Sequence, residues 1–376
     1  MIELRLNAQF ERKGPPFVVK IRVTDDGCSN LSSGEEHIAT AIPLGPGRYQ
    51  CRGDHGVFEI SCPEDEPIDG DVLLCLPSRG SVQRLFRRSS RHNTLLFTER
   101  CDQLCVMCSQ PPKNTNDTWL FPLYEQALLL VDRDAMIGIS GGEPTLYKDS
   151  LLGMIERVQE QRPDISYHIL SNGQHFAEED RKRLSHLHGK VQIQWGIPLY
   201  SHCAATHDRI VGKEGAFDPV MNNLFLLAST SARIELRTVL TALNVFDLPY
   251  IAAFIARHIP FITDWAIMGM EPIGYARANW EQLFFDHSAF PEPLISTVEI
   301  TKALRLPCHL YNIPLCTVPP QVRPYCVDSI SDWKKKYLPE CDQCDEKSNC
   351  AGFFEWYSSQ RSWSGVKPIT RKEKPQ

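Results

Sequence analysis

Over the first 92 positions, short apolar runs alternate with clusters of Gly, Pro and Asp. Residues 18–23 (VVKIRV), 57–60 (VFEI) and 72–76 (VLLCL) read as strands. Gly45-Pro46-Gly47, Pro67-Ile68-Asp69-Gly70 and Pro77-Ser78-Arg79-Gly80 punctuate them. A small sheet or barrel follows, with no catalytic constellation in it. From residue 93 the texture changes to alternating strand and helix. Strands are predicted over 94–98, 135–140, 165–170, 191–199, 234–240 and 264–270. Helices are predicted over 123–131, over 150–161 with Asp149 as N-cap, over 178–187, from Asp218-Pro219 onward with Asp218 as cap and Pro219 in the first turn, and over 247–258. Helical crossovers imply parallel strands. Six units are too few to close an eight-fold barrel, so the pattern predicts an α/β fold, a partial and open (β/α)6 barrel. Its chemistry belongs on the loops at the carboxyl ends of the strands.

After Glu271 prolines break up the pattern and cysteines accumulate. Three domains are therefore expected: a β-rich N-terminal domain over 1–92, a partial barrel over 93–275, and a Cys-rich extension over 276–376 whose last ten positions are polar and frayed. The chain has 376 residues, a net charge of −6 and 42% hydrophobic residues, an ordinary globular balance that disfavours a bulk nucleic-acid binder. The basic run 84–91 is expected to form a solvated face. The first 14 residues are charged and lack an apolar core, and no apolar run nears the roughly 18 residues of a membrane span, so a cytoplasmic protein away from membranes is expected.

That setting changes the meaning of the 14 cysteines. A reducing compartment does not sustain a disulfide framework, so clustered cysteines point to metal. Cys28, Cys51, Cys62, Cys75 and Cys203 are scattered and are expected to be structural. Cys101, Cys105 and Cys108 form C-x3-C-x2-C on the loop after the first strand. Three thiolates can hold three corners of a cubane cluster and leave one iron open for an exogenous ligand. A three-cysteine zinc site completed by histidine is the alternative, but His92 precedes the strand. One strand later comes Ser140-Gly141-Gly142-Glu143-Pro144, where glycines permit close backbone approach and carbonyls and a carboxylate can receive an ammonium group.

These two motifs, in this order, resemble the radical S-adenosylmethionine (radical SAM) superfamily. The resemblance implies a [4Fe-4S] cluster on Cys101, Cys105 and Cys108, with S-adenosylmethionine chelating the open iron. Its reductive cleavage to a 5′-deoxyadenosyl radical would be followed by hydrogen abstraction from substrate. It also implies that Gly141, Gly142 and Glu143 meet the amino group, that Met107 packs near adenine, that Ser171 and Asn172 of Ser171-Asn172-Gly173 face the cofactor, and that Arg209 meets the carboxylate. Glu271, Tyr200 and His202 lie at or near strand ends, and no catalytic acid or base is assigned among them.

Cys341-x2-Cys344-x5-Cys350 is similar to the auxiliary-cluster extension of peptide-modifying radical enzymes. It implies a second [4Fe-4S] cluster with Cys316 as fourth ligand, Cys326 and Cys308 being rivals for that place and structural zinc an alternative metal. Several further stretches are together similar to the His-Xaa-Ser system radical SAM maturases of the C type: Arg91-His92-Asn93, Thr98-Glu99-Arg100-Cys101, Cys108–Lys113, Gly196–Ser201, Tyr311–Cys316 and Ser329–Lys334. That resemblance implies post-translational modification of a ribosomally made precursor rich in His-Xaa-Ser repeats. Its partners would be a second radical maturase, a small accessory protein and an external electron donor. The alternatives are a radical SAM enzyme acting on a small molecule or RNA, a non-catalytic cluster-bearing subunit of another maturase, and a zinc-bearing interaction protein.

Overall fold

In the computed structural model, residues 3–24, 37–358 and 363–370 are described. Cys28 and residues 371–376 of the tail lie outside the described residues. The N-terminal strands are β1 (Arg5–Phe10), β2 (Phe17–Val23), β3 (Ile38–Gly45), β4 (Arg48–Gly53), β5 (Gly56–Ser61), β6 (Val72–Leu76) and β7 (Ser81–Phe86). They close into a barrel in the order β1-β5-β4-β3-β2-β6-β7, because β1 pairs antiparallel with both β5 and β7. Leu6, Ile21, Phe58, Ile60 and Leu73 fill its interior together with the buried Cys51 and Cys75. The continuous apolar run of β6 has a simple cause. Leu73 and Cys75 point into the barrel, while Val72, Leu74 and Leu76 join the core of the following domain.

That domain is built on an eight-stranded sheet. Its strands are β8 (Asn93–Thr98), β9 (Met136–Gly141), β10 (Ser166–Leu170), β11 (Ile193–Pro198), β12 (Arg233–Val239), β13 (Asp264–Met268), β14 (Cys308–Tyr311) and β15 (Cys326–Val327). Each pairs in parallel with the next, and β8 and β15 form the two open edges. The open parallel architecture agrees with the sequence pattern, but the count of six strands is corrected to eight. β14 and β15 come from the proline-rich segment and have only four and two residues, too short for alternation to register.

The helices are α1 (Phe121–Leu130), α2 (Lys148–Gln161), α3 (Arg181–His188), α4 (Ala204–Val211), α5 (Phe217–Ala228), α6 (Leu248–His258), α7 (Gly274–Ala278), α8 (Trp280–Leu283) and α9 (Glu292–Ala303). Two expected caps are corrected. Tyr147 holds the cap position of α2, with Asp149 inside the first turn. α5 starts ahead of Asp218, and the Asp208 carboxylate caps it instead, accepting the N–H groups of Gly215 at 2.7 Å and Phe217 at 2.9 Å. α4 was not legible in the apolar pattern. In the extension, β16 (Lys335–Lys336) pairs with β17 (Phe353–Phe354).

The basic run 84–91 is not a uniformly solvated face. Arg84 is 3% exposed and bonds Asp71 at 2.8 Å and Glu66 at 2.5 Å. Arg87 is 5% exposed and holds both carboxylate oxygens of Asp332, at 3.0 and 3.1 Å, which ties the N-terminal barrel to the extension. Arginine can be buried this way because its planar fork satisfies several acceptors at once. Among the described residues, no helix is long and apolar enough to cross a membrane.

Candidate active site

A cavity of about 830 Å³ opens at the carboxyl ends of the parallel strands. Its wall holds Cys101, Cys105 and Cys108 with Met107, the Gly141-Gly142-Glu143 run, and Ser171 with Asn172. Six of the seven residues expected to face the cofactor are thus brought together with the three thiols. Arg209 is not. It is exposed on α4 and lines no part of the cavity. Arg84, Arg87 and Arg237 do reach the wall; of these, Arg237 stands on a strand of the parallel sheet, β12, and donates to the buried Glu235 and, at 3.0 Å, to Met268 Sδ. Burial pushes the Glu235 carboxyl up, but the hydrogen bond with His168 and the Arg237 charge outweigh it and hold the group at about 2. The signal for Arg237 was its register: on β12, side chains two apart share a face, so Glu235 and Arg237 point the same way.

The cysteine loop is fixed by backbone contacts. Leu104 N–H donates to Val211 O at 3.1 Å and Val106 N–H to Ile210 O at 2.9 Å. The helix that receives them, α4, ends at Gly212 with φ 65°. A Cβ there would stand 2.5 Å from Leu104 O, so both the left-handed turn and the close approach require glycine. On the other side Asn279 Nδ2 donates to Val106 O at 2.8 Å, and Tyr275 N–H donates to Cys108 O at 2.8 Å. Asp102, inside the loop, accepts from Asn172 at 2.8 Å, His175 at 3.3 Å and Lys213 at 2.5 Å. Led by the His175 bond, these partners hold its carboxyl well below the usual carboxylate range. The sequence reading missed Asp102 and Lys213 because they lie 111 positions apart.

Chemically, the three sulfurs are a ligand set without a cation. Burial is the main cause that raises each thiol, Cys101 to about 11 and Cys105 to about 12, with Cys108 raised as well. Free, they are neutral thiols at pH 7. A thiolate triad here needs positive charge among the sulfurs, which a metal cluster supplies. The donors ring a cavity, and among the described residues no three Cys, His, Asp or Glu groups lie close enough together to hold one metal ion.

The glycines of the second motif act first on the protein itself. A Cβ on Gly141 would stand 2.3 Å from Thr98 O, and one on Gly142 would stand 2.1 Å from Arg100 O. Gly142 N–H donates to Thr98 O and Glu143 N–H to Arg100 O, both at 2.7 Å. The pair therefore seats the start of the cysteine loop. Glu143 is wholly buried, and its carboxylate accepts from Thr145 N at 2.8 Å, Thr145 Oγ1, Ser171 Oγ at 2.9 Å and Asn172 N at 2.5 Å. Burial nevertheless raises its pKa. Three of these bonds fall on Oε1 and one on Oε2, so the acceptors left for an ammonium group are the second lone pair of Oε2 and the backbone carbonyls of the run.

At the far wall, Glu271 Oε1 and Oε2 meet Lys334 Nζ at 3.2 and 3.1 Å, and both residues line the cavity. Lys334 also lies over the rings of Trp333 and Phe354. Tyr200 lines the cavity, buried with its hydroxyl pKa raised by that burial, whereas His202 stands outside it against Tyr250.

The second cysteine group forms its own site. Cys316, Cys341, Cys344 and Cys350 line one small cavity of about 20 Å³ in the extension. Backbone N–H groups point at its sulfurs: Leu315 and Gly352 at Cys350, each at 3.4 Å, and Ile369 at Cys344, also at 3.4 Å. Of the rivals to Cys316, Cys308 is in the main core and Cys326 directs its thiol at Val322 O, and neither lines this cavity.

No family model and no curated protein matches the chain. Among solved structures, the chain is similar to Streptococcus suis SuiB at 15% identity and a TM-score of 0.45, over 58% of this chain and 48% of that one. A second match is anSMEcpe with bound AdoMet and a peptide, at 13% identity and a TM-score of 0.40, over 57% of this chain and 62% of that one. A third is TYW1 with a lysine-pyruvate adduct, at 17% identity and a TM-score of 0.36, over 55% of this chain and 69% of that one. The matched region is thus about half the length of SuiB. What the site can do follows from its own residues.

Proposed function

We propose that this chain is a radical SAM enzyme that modifies a ribosomally made precursor peptide. One observation carries the reading: the Cys101, Cys105 and Cys108 thiols, the carbonyl-bearing Gly141-Gly142 run and the Ser171-Asn172 turn share a single cavity at the carboxyl ends of a parallel sheet. Cys101, Cys105 and Cys108 would hold a [4Fe-4S] cluster, and an open iron is left because the triad offers three thiolates. When bound, the cluster would supply the electron that cleaves S-adenosylmethionine to a 5′-deoxyadenosyl radical. The chain's own residues would orient and shield. The backbone carbonyls at Gly141 and Gly142 would accept from an amino group, Met107 would pack beside an aromatic base, and the Asp102–Asn172–Lys213 network would hold the cysteine loop in place.

Cys316, Cys341, Cys344 and Cys350 would hold an auxiliary [4Fe-4S] cluster, closed by four thiolates and suited to electron transfer; zinc, the alternative metal for the same donors, would need the sulfurs drawn closer together than they lie. The resemblance in the sequence motifs supports a His-Xaa-Ser repeat protein as precursor. It also supports a second maturase, an accessory protein and an external electron donor as partners. The test is anaerobic incubation with dithionite and S-adenosylmethionine. 5′-Deoxyadenosine should form, and its absence with reconstituted protein, partner maturase and precursor all present would sink the reading.

A further inference from the structure

Between the first two cysteines of the triad stands Gln103, a side chain the proposed chemistry does not use. It is 3% exposed and lines the active-site cavity. Its backbone N–H donates to Cys101 Sγ at 3.4 Å. Its amide oxygen accepts from Cys105 Sγ at 3.6 Å, while its amide nitrogen Nε2 is buried and has no partner among the described residues. A buried amide N–H without an acceptor is costly. The arrangement makes sense only while Cys105 is a thiol that donates. Once Cys105 is a thiolate it becomes an acceptor, and a half-turn about the terminal torsion exchanges Oε1 for Nε2 with little change of shape.

We infer that Gln103 is a positioning residue for the metal-bound state, turning its amide so that Nε2–H donates to the Cys105 thiolate. This rests on the proposed cluster at the triad. With its backbone N–H on Cys101, one residue would then donate to two of the three ligand sulfurs. N–H groups aimed at sulfur stabilise the more negative, reduced cluster and so raise its reduction potential. Removing the donor therefore lowers the potential without removing a ligand.

The experiment is an anaerobic redox titration of the reconstituted full-length protein, followed by electron paramagnetic resonance of the reduced triad cluster. The background is Cys341→Ala/Cys344→Ala, so that any second cluster does not contribute. Gln103→Leu and Gln103→Met, which lack the N–H, should keep the cluster and titrate at a lower potential than the same protein with Gln103. Gln103→Glu, which adds a negative charge, should titrate lower still. An unchanged midpoint in the Leu or Met variant with full iron content would overturn the inference. Should no variant load iron, pulsed resonance on protein carrying ¹⁵N in glutamine side-chain amides decides: a ¹⁵N coupling to the reduced cluster is expected, and none overturns the assignment. Failure of Gln103-containing protein to bind any iron–sulfur cluster would instead overturn the proposed function, and this inference with it.

Discussion

Replacing Gly142 by alanine places a methyl carbon 2.1 Å from Arg100 O, 2.4 Å from Arg100 C and 3.0 Å from Cys101 N. All three are backbone atoms, so no side chain can swing aside. Ordinary carbon contacts lie near 3.5 Å, so the cysteine loop and the β9 turn must separate by roughly 1 Å or more. Two hydrogen bonds span that gap, Gly142 N–H to Thr98 O and Glu143 N–H to Arg100 O, each at 2.7 Å. Losing both costs about 2 kcal/mol at a net value of about 1 kcal/mol each, before any overpacking strain of about 1–3 kcal/mol. That is a modest loss for a domain with so large a core, so the protein should still fold. For the proposed cluster at the triad the same displacement is severe, because a ligand moved by about 1 Å no longer meets its metal. The expected outcome is a thermal midpoint lowered by several degrees, with iron at the triad and 5′-deoxyadenosine formation nearly abolished. Gly14→Ala is the control, since nothing lies within 4 Å of its Cβ position. A Gly142→Ala protein with wild-type iron content and wild-type 5′-deoxyadenosine yield would refute the reasoning that these glycines seat the cysteine loop.

Cys316→Ser should remove the metal of the second site, while Cys326→Ser, whose thiol points at Val322 O, should leave metal content unchanged. Metal analysis of anaerobically prepared proteins distinguishes the two, and equal loss from both would undo the assignment of Cys316. Acid should destabilise the fold through His207 and His287, both buried and both lowered by that burial to about 4. The unfolded chain binds protons near pH 6.5 and the folded one near 4. Their contribution, on the order of 3 kcal/mol each, is therefore present above pH 6.5 and is lost as pH falls from there to 4. Thermal midpoints should drop between pH 7.5 and pH 5, and His287→Gln should flatten that dependence. A wild-type midpoint that does not change over this range would show that neither histidine is held neutral.

Much of the architecture was legible because it is local. Alternation with period 2 and then 3.6 announced a β-rich start and a run of parallel strands, and the cysteine and glycine motifs fell at strand ends, where the fold gathers its loops. β14 and β15 were not legible, since four and two residues are too few to carry a period. α4 was missed because its eight residues, with only His207, Ile210 and Val211 buried, are too few to carry a clear period; its last carbonyls receive the cysteine loop. Arg209 was placed at the site by motif position alone, and helical geometry turns it to solvent.

By itself the sequence determined the cysteine and glycine motifs, their spacing and their order along the sheet, because residue chemistry and chain connectivity are properties of neighbours in the chain. Only the tertiary structure decided which distant residues complete the site. It put Arg237 rather than Arg209 on the cavity wall, paired Glu271 with Lys334, and drew Cys316 rather than Cys326 to the second cavity. It also showed that Gly141 and Gly142 are small because the backbone of Thr98 and Arg100 occupies the space a side chain would need. Those choices depend on close packing between segments far apart in the chain, and such packing has no local signature to read.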